Sequence, residues 1–396
     1  MPKKIKINSK KNQKIKSLRG RGYKIKIVGI GGAGCSTISR LMKLKIPNLE
    51  LIAINTDSRS LAHTSAHKKI RIGKGLTKGL GTGMDVNLGQ QAAEINRKEI
   101  IDNLKGADLV FLIAGLGGGT GSGALPVVAD ICRDLDILTL AVVTKPFIFE
   151  GPRKMSIAEQ TIKILTAKID ALISIANESI LKVIDRTTPL LEAFSVVDEI
   201  LKQVIKGIAD IINSYGLVNV DLADLKMILK NAGQVLLGIG TAEGEGRAIE
   251  AIKQAVENPF SDLSLKGAKG LLFIVTGGSD LTMYEVNEML KYIRELINPN
   301  CQVIFGAIID ELMQNKIKVT IIATGFSPNT VEKSQTSVLI KPQSILEKKI
   351  EIENIQSIQN ESEIKTKITK IDKNFSESDL EIPAFLRKNQ KFPTQR

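Results

Sequence analysis

The chain is 396 residues long, 43% hydrophobic and 24% charged, a globular composition that excludes a wholly disordered or fibrous protein and is enough for about two or three domains. Three widely spaced cysteines and two histidines argue against a disulfide scaffold and against a Cys/His zinc site. The net charge of +13 is uneven: residues 1–26 hold 11 Lys/Arg and no acid, whereas residues 27–326 hold 32 basic and 32 acidic residues, so only the head offers a polyanion a patch of one sign.

That head reads either as a solvated basic arm or as an organelle-targeting peptide, though one rich in Lys rather than in Arg and Ser. From Lys24 onward apolar runs alternate with helical stretches, the rhythm of a parallel sheet covered on both faces. Strands are predicted at Lys24–Ile30, Leu51–Asn55, Leu109–Ala114, Thr139–Val143 and Ala171–Ala176, with helices such as Asn87–Leu104 and Gly123–Leu135 between them. Ala193–Ser214 has the spacing of a long amphipathic helix that can bridge to a second region. There, helical patterns run from Leu225 to Val256, followed by a strand at Gly270–Thr276, a helix at Thr282–Leu296, and strands at Gln302–Ile309 and Lys316–Thr324. Two successive strands without a helix between them predict an antiparallel or mixed sheet, hence a separate α+β unit. Beyond Phe326 the sequence is polar and lacks glycine, as a disordered linker does. No apolar run approaches the roughly 20 residues of a membrane span, so a soluble protein is expected.

The expected fold class is α/β: a Rossmann-like parallel-sheet domain joined by a long central helix to a smaller α+β domain with a mixed sheet, with disordered termini. The expected boundaries are a basic head at 1–23, a nucleotide-binding domain at 24–193, a connecting helix at 194–216, the α+β domain at 217–326, a linker at 327–378 and a terminal peptide at 379–396.

After the first strand comes Gly29-Ile-Gly31-Gly-Ala-Gly34, opening a helix, the glycine spacing of a dinucleotide site. Asp57 follows the second strand, where a ribose-binding acid would stand. An NAD(P)-dependent oxidoreductase fits these two features, as does a Gly-rich turn needed only for packing. The third strand, however, ends in a second loop of the same kind, Gly115-Leu-Gly117-Gly118-Gly119-Thr120-Gly121-Ser122-Gly123, and a third Gly-rich segment spans Gly73–Gly83. Two phosphate-cradling loops on neighbouring strand ends suit a triphosphate better than a pyrophosphate bridge. The oxidoreductase reading leaves the second loop unexplained, and its only histidines, His63 and His67, share one short segment. No G-x-x-x-x-G-K-[ST] occurs, which excludes a P-loop NTPase.

Gly117–Gly123, GGGTGSG, resembles the signature of the tubulin/FtsZ superfamily, and specifically of its bacterial cell-division branch. Asn55-Thr56-Asp57, Val143-Thr-Lys-Pro-Phe147, Phe149-Glu150-Gly151 and Asn219-Val-Asp221-Leu-Ala-Asp224 support the resemblance, which covers residues 24–326. It implies a cytoplasmic, self-assembling GTPase that forms the division ring at mid-cell. Gly31, Gly32, Ala33, Gly34 and Ser36, together with Gly117, Gly118, Gly119, Thr120, Gly121 and Ser122, would hold the phosphates of GTP or GDP, with Mg2+ bound through those phosphates. Gly79–Asp85, with Gly83, would approach the γ-phosphate; Glu150 would bind ribose, Lys154 would stand nearby, and Asn177, Phe194 and Asp198 would contact guanine.

The guanine assignment has a physical basis, because the Asp198 carboxylate can accept from N1–H and the 2-amino group together, whereas adenine presents an acceptor at N1. Without the resemblance, Phe194 would be core and Asp198 solvated. Asp221 and Asp224, at i, i+3 on one helical face, read as helix caps from spacing alone. In the family they and Asn219 complete the hydrolytic site of the next subunit in a head-to-tail filament. Glu381-Ile-Pro-Ala-Phe-Leu-Arg-Lys388 is similar to the family's terminal peptide, which docks on membrane anchors and regulators, so no nucleic-acid partner and no direct membrane insertion are expected. Four features depart from the family: Ser36 replaces Asn, Lys154 replaces Arg, Thr82-Gly83-Met84-Asp85-Val86 replaces Ala-Gly-Ala-Asn-Pro, which would turn an acid toward the γ-phosphate, and the basic head and the residues after Lys388 are extra. Those departures leave a nucleotide-binding scaffold with little hydrolysis as a third reading.

Overall fold

A strand covered by helices on both faces cannot alternate apolar and polar residues, and the runs at Ile25–Ile30 (β1) and Leu109–Gly115 (β4) do not. The computed structural model describes residues 23–43, 49–182, 222–257 and 263–326 and, between them, residues 184–185, 187–189, 193, 196, 199–205, 207–208, 217–218 and 220. In it β1 and β4 are the centre of a seven-stranded parallel sheet with the order β3-β2-β1-β4-β5-β6-β7. The remaining strands are β2 (Leu49–Asn55), β3 (Lys68–Arg71), β5 (Leu138–Lys145), β6 (Ala171–Ala176) and β7 (Gly233–Gln234). The five strands predicted in this region are present with ends moved by a residue or two. The short edge strand β3 and the two-residue β7 were not legible, since neither is long enough to carry a pattern.

On one face, Leu125 and Val128 of the Gly119–Asp134 helix pack with Val28 and Leu112. On the other, Ile38 and Leu41 of the Gly31–Met42 helix join Ile27 and Phe111 in a cluster that also takes Leu201, Val204, Ile205 and Ile208 of the central helical stretch. The same cluster contains Leu272, Ile274 and Ile322 of a second sheet, so this stretch is buried between the two sheets. The predicted helix Asn87–Leu104 is two helices, Val86–Ile95 and Arg97–Leu104, broken at Asn96, whose side chain accepts from Gly73 N–H at 2.9 Å and donates to Glu99 at 2.9 Å.

The second sheet has the order β10-β9-β11-β8, from β8 (Leu236–Glu243), β9 (Gly270–Gly277), β10 (Gln302–Ile309) and β11 (Lys316–Thr324). It is mixed, as expected, but the successive strands β10 and β11 do not pair: β10 runs parallel to β9, and β11 runs antiparallel to both β9 and β8. Strand β8 lies in the stretch read as helical. Its Gly238 and Gly240 let the Arg247–Val256 helix approach so closely that a Cβ at either would strike the backbone of Ala255 or Ala251. Among the described residues no helix is long and apolar enough to cross a membrane.

Arg247, 7% exposed, ties this helix to the Met283–Leu296 helix. Its guanidinium donates to Glu285 Oε1 at 2.7 Å and Asp280 Oδ2 at 2.6 Å, and Glu285 is also half of a capping box with Thr282. The Arg247 hydrogen bonds hold the Glu285 and Asp280 carboxyls below their ordinary range, while the carboxylates raise the guanidinium. Arg247→Met should therefore destabilise the protein by about 2 kcal/mol at neutral pH, less than for a fully buried pair because Asp280 can turn to water. A carboxyl with a depressed folded pKa stabilises above its unfolded value and loses that contribution as pH falls through the folded one. The difference in urea midpoint between wild type and Arg247→Met should accordingly be full at pH 7 and shrink below about pH 4.5; a pH-independent difference would refute the ion-pair account.

Candidate functional site

The strand order reverses between β1 and β4, and in open parallel sheets the crevice at such a point is where ligands bind. Both strands feed directly into helices there. The Gly31–Met42 and Gly119–Asp134 helices begin without a side-chain cap and without an acid in the first turn. Their first amides and positive dipole ends therefore face one cavity of about 690 Å³, with no acid in either first turn to compete for them.

Local geometry explains the glycines of the second loop. Gly117 adopts φ +98°, a left-handed turn favouring glycine, and its N–H donates to Ser122 Oγ at 3.0 Å, closing the loop on itself. Gly118, the N-cap, has φ −90° and open space where a Cβ would be, which is the space in front of the amides. Gly119 is the opposite case: a Cβ there would run into the Thr82 hydroxyl and the backbone of Asp85. Thr120 Oγ1 lies 2.8 Å from Thr56 Oγ1 and 3.4 Å from Thr82 Oγ1, so the 73–85 loop is stitched to the helix start.

The other wall comes from the ends of β5 and β6. Thr144 lies at the end of β5 and Pro146 just after it, and the Ile148–Glu150 turn brings in Glu150, whose Oε1 accepts from Phe147 N–H at 3.0 Å and whose Oε2 accepts from Lys154 at 2.9 Å. Asn177, just past β6, lines the same cavity with a buried Oδ1 that has no hydrogen-bond partner among the described residues. A buried acceptor without a donor is costly unless a ligand supplies one. Cys35, fully buried beneath Ser36, is no nucleophile, since burial pushes its thiol up to about 11.

Of the residues expected from the sequence, Gly31, Gly32, Ala33, Ser36, Gly118, Gly119, Thr120, Gly121, Glu150, Lys154 and Asn177 line the cavity. Gly34 lies beneath it, where a Cβ would meet Ile113 O at 2.5 Å; Ser122 is committed to the loop; Gly117 and Gly83 are off the wall. Phe194, Asp198, Asn219, Asp221 and the Glu381–Lys388 peptide lie outside the described residues. Asp224, half-buried in the first turn of the Leu222–Leu229 helix, is not part of the cavity wall. Asp57, expected as a ribose ligand on the dinucleotide reading, instead caps the Ser58–His63 helix through Arg59 and Ser60 N–H. Asp85 likewise caps the Val86–Ile95 helix through Leu88 N–H at 3.1 Å and does not line the cavity, so the expected acid at the γ-phosphate position is engaged elsewhere. Sequence reasoning missed Thr37 and Arg40, although Ala33, Ser36, Thr37 and Arg40 share one helical face, and it missed Leu201.

The wall thus offers amides and hydroxyls for a polyphosphate and, among the described residues, no carboxylate beyond Glu150, which Lys154 neutralises. It can bind and polarise, but among the described residues it holds no available general base.

Residues 24–185 match the model of the Tubulin/FtsZ family GTPase domain, and residues 233–327 match the FtsZ family C-terminal domain. The structure is similar to an empty FtsZ dimer from M. jannaschii, with 40% identity over 81% of this chain and 93% of that one and a TM-score of 0.73. A GTPγS-bound protofilament of CetZ2 from Haloferax volcanii shares the fold at 21% identity, with a TM-score of 0.68 over 84% of this chain and 100% of that one.

Proposed function

The chain belongs to the Tubulin/FtsZ family, and from that membership we propose that it is a GTP-dependent, self-assembling GTPase that builds the division ring in the cytoplasm at mid-cell. The observation that carries the nucleotide part is the pair of uncapped helix N-termini meeting at one cavity, which suits a chain of phosphates. The orphaned Oδ1 of Asn177 at the far end suits a donor on the base, such as the N1–H or 2-amino group of guanine. Phe194 would stack on the base and Asp198 would accept its N1–H and 2-amino pair. Glu150 would take a ribose hydroxyl with its remaining lone pairs.

Hydrolysis needs a group to orient water, and the described residues of the cavity wall offer none. Asp221 and Asp224, with Asn219, would supply it from the next subunit, so that the filament contact completes the active site. Asp224 standing off the wall supports this division of labour. Mg2+ would be held through the phosphates and would supply charge neutralisation there; among the described residues no cluster of acids and histidines forms a protein cage for it. On this reading residues 24–193 form the GTP-binding domain, 217–326 the activating domain, and 379–396 the peptide that meets membrane anchors and regulators. The archaeal match assigns the chain to the family rather than to its bacterial branch. Light scattering should rise with GTP and stay flat with ATP, NAD or no ligand. A rise with NAD, or none with GTP, would overturn the reading.

A further inference from the structure

Strand β3 is the edge of the parallel sheet, and the segments on either side of it in sequence share its charge. Residues 58–84 hold six Lys/Arg, two His and no acid, within a body whose basic and acidic residues are equal in number. The fold gathers them on one side. Lys69 of β3 donates to Ala62 O at 2.9 Å in the Ser58–His63 helix, and Ser58 at the start of that helix donates to Gly79 O at 3.0 Å through both its N–H and its hydroxyl. Arg59, Lys69, Lys74 and Lys78 are exposed, whereas Lys68 is taken by Glu50 at 2.9 Å. Lysines on an edge strand keep other strands from pairing with it, which explains Lys68 and Lys69 but not Arg59, Lys74 and Lys78. Two leucines also stand among these cations in contact with solvent, Leu76 at 39% and Leu80 at 70% exposure.

Cations interleaved with exposed leucines fit one kind of partner. Single-stranded nucleic acid is held by cations together with rings that stack on its bases, and residues 58–84 contain no Phe, Tyr or Trp. An anionic lipid surface instead offers headgroup charge to the cations and an apolar layer just below it to the leucines. We propose that this sheet edge, Arg59, Lys69, Lys74 and Lys78 with Leu76 and Leu80, rests on an anionic lipid surface. The contact is made at the level of the headgroups. Four cations hold one molecule only weakly and reversibly, so the edge orients the protein on the surface and leaves firm attachment to a second signal. It requires neither nucleotide hydrolysis nor assembly, and so goes beyond the GTPase reading.

The test is flotation of the full chain, without nucleotide, on lipid vesicles. Wild type should float with phosphatidylcholine vesicles containing about 30% phosphatidylserine, stay behind with phosphatidylcholine alone, and lose binding as salt rises from about 0.1 to about 0.5 M. Lys74→Gln/Lys78→Gln should weaken partition about twentyfold and Leu80→Ser about fivefold. Lys253→Gln/Lys291→Gln removes the same charge from exposed positions on the Arg247–Val256 and Met283–Leu296 helices and should change it less than about twofold. Equal losses in the two double variants overturn the proposal, as does a wild type that ignores anionic vesicles. Binding that withstands Lys74→Gln/Lys78→Gln but disappears on removal of residues 1–22 assigns the contact to the basic head and overturns it too. A wild type that binds single-stranded oligonucleotide in place of the vesicles overturns it in favour of nucleic acid. If thermal melting shows that Lys74→Gln/Lys78→Gln does not fold, Arg59→Gln and Leu80→Ser decide: weaker binding by both supports the proposal, and wild-type binding by either overturns it.

Discussion

Gly118→Val should lower GTP affinity by about a hundredfold or more and leave the fold intact. The backbone at Gly118, φ −90° and ψ 165°, is open to any residue, and a Cβ there meets no protein atom within 4 Å. What it does meet is the space in front of the Gly119 and Thr120 amides. Phosphate oxygens must come within roughly 3 Å of those N–H groups to accept from them, and a branched side chain holds them off. Losing two charge-assisted bonds at about 1.5 kcal/mol each amounts to about two decades. Gly119→Ala is the contrasting variant, since its Cβ would force the Asp85 backbone away and lower the melting temperature. A Gly118→Val protein that binds GTP like wild type would remove the second loop from the site.

Asp224→Ala should cut turnover by about a hundredfold or more while GTP binding and assembly persist, as expected when a group acts only in the transition state. A capping role predicts otherwise. Asp224 sits in the first turn of the Leu222–Leu229 helix, where an acid stabilises by up to about 1 kcal/mol without touching kinetics. Asp224→Asn separates the two, because an amide still caps but carries no charge to orient water. Specific activity should also climb with protein concentration. An activity per molecule that is flat across the assembly threshold would favour the cap.

The sheet and the glycine loops were legible because they obey strong local rules. Buried parallel strands such as β1 and β4 must be continuously apolar, and a backbone that presents bare amides must be glycine. Strand β8 was hidden because its glycines answer to a helix lying across it, which no local pattern records. The acids were ambiguous for a related reason: Asp57 and Asp85 look like ligands in sequence, yet each lies one residue before a helix and caps it. The threonine cluster draws on positions 56, 82 and 120, so its geometry exists only after the chain has folded.

The central claim, that one subunit supplies the nucleotide and the next supplies the acids, is tested most directly by mixing two inactive proteins. Gly118→Val should lack GTP and Asp224→Ala should lack the water-orienting carboxylate, so each alone is expected to hydrolyse little. In a mixture, GTP held by an Asp224→Ala subunit can meet the intact Asp224 of a Gly118→Val neighbour. Phosphate release from the mixture well above the sum of the separate proteins is the predicted result. Release equal to that sum, with both proteins shown to co-sediment, would contradict a site shared across the subunit contact.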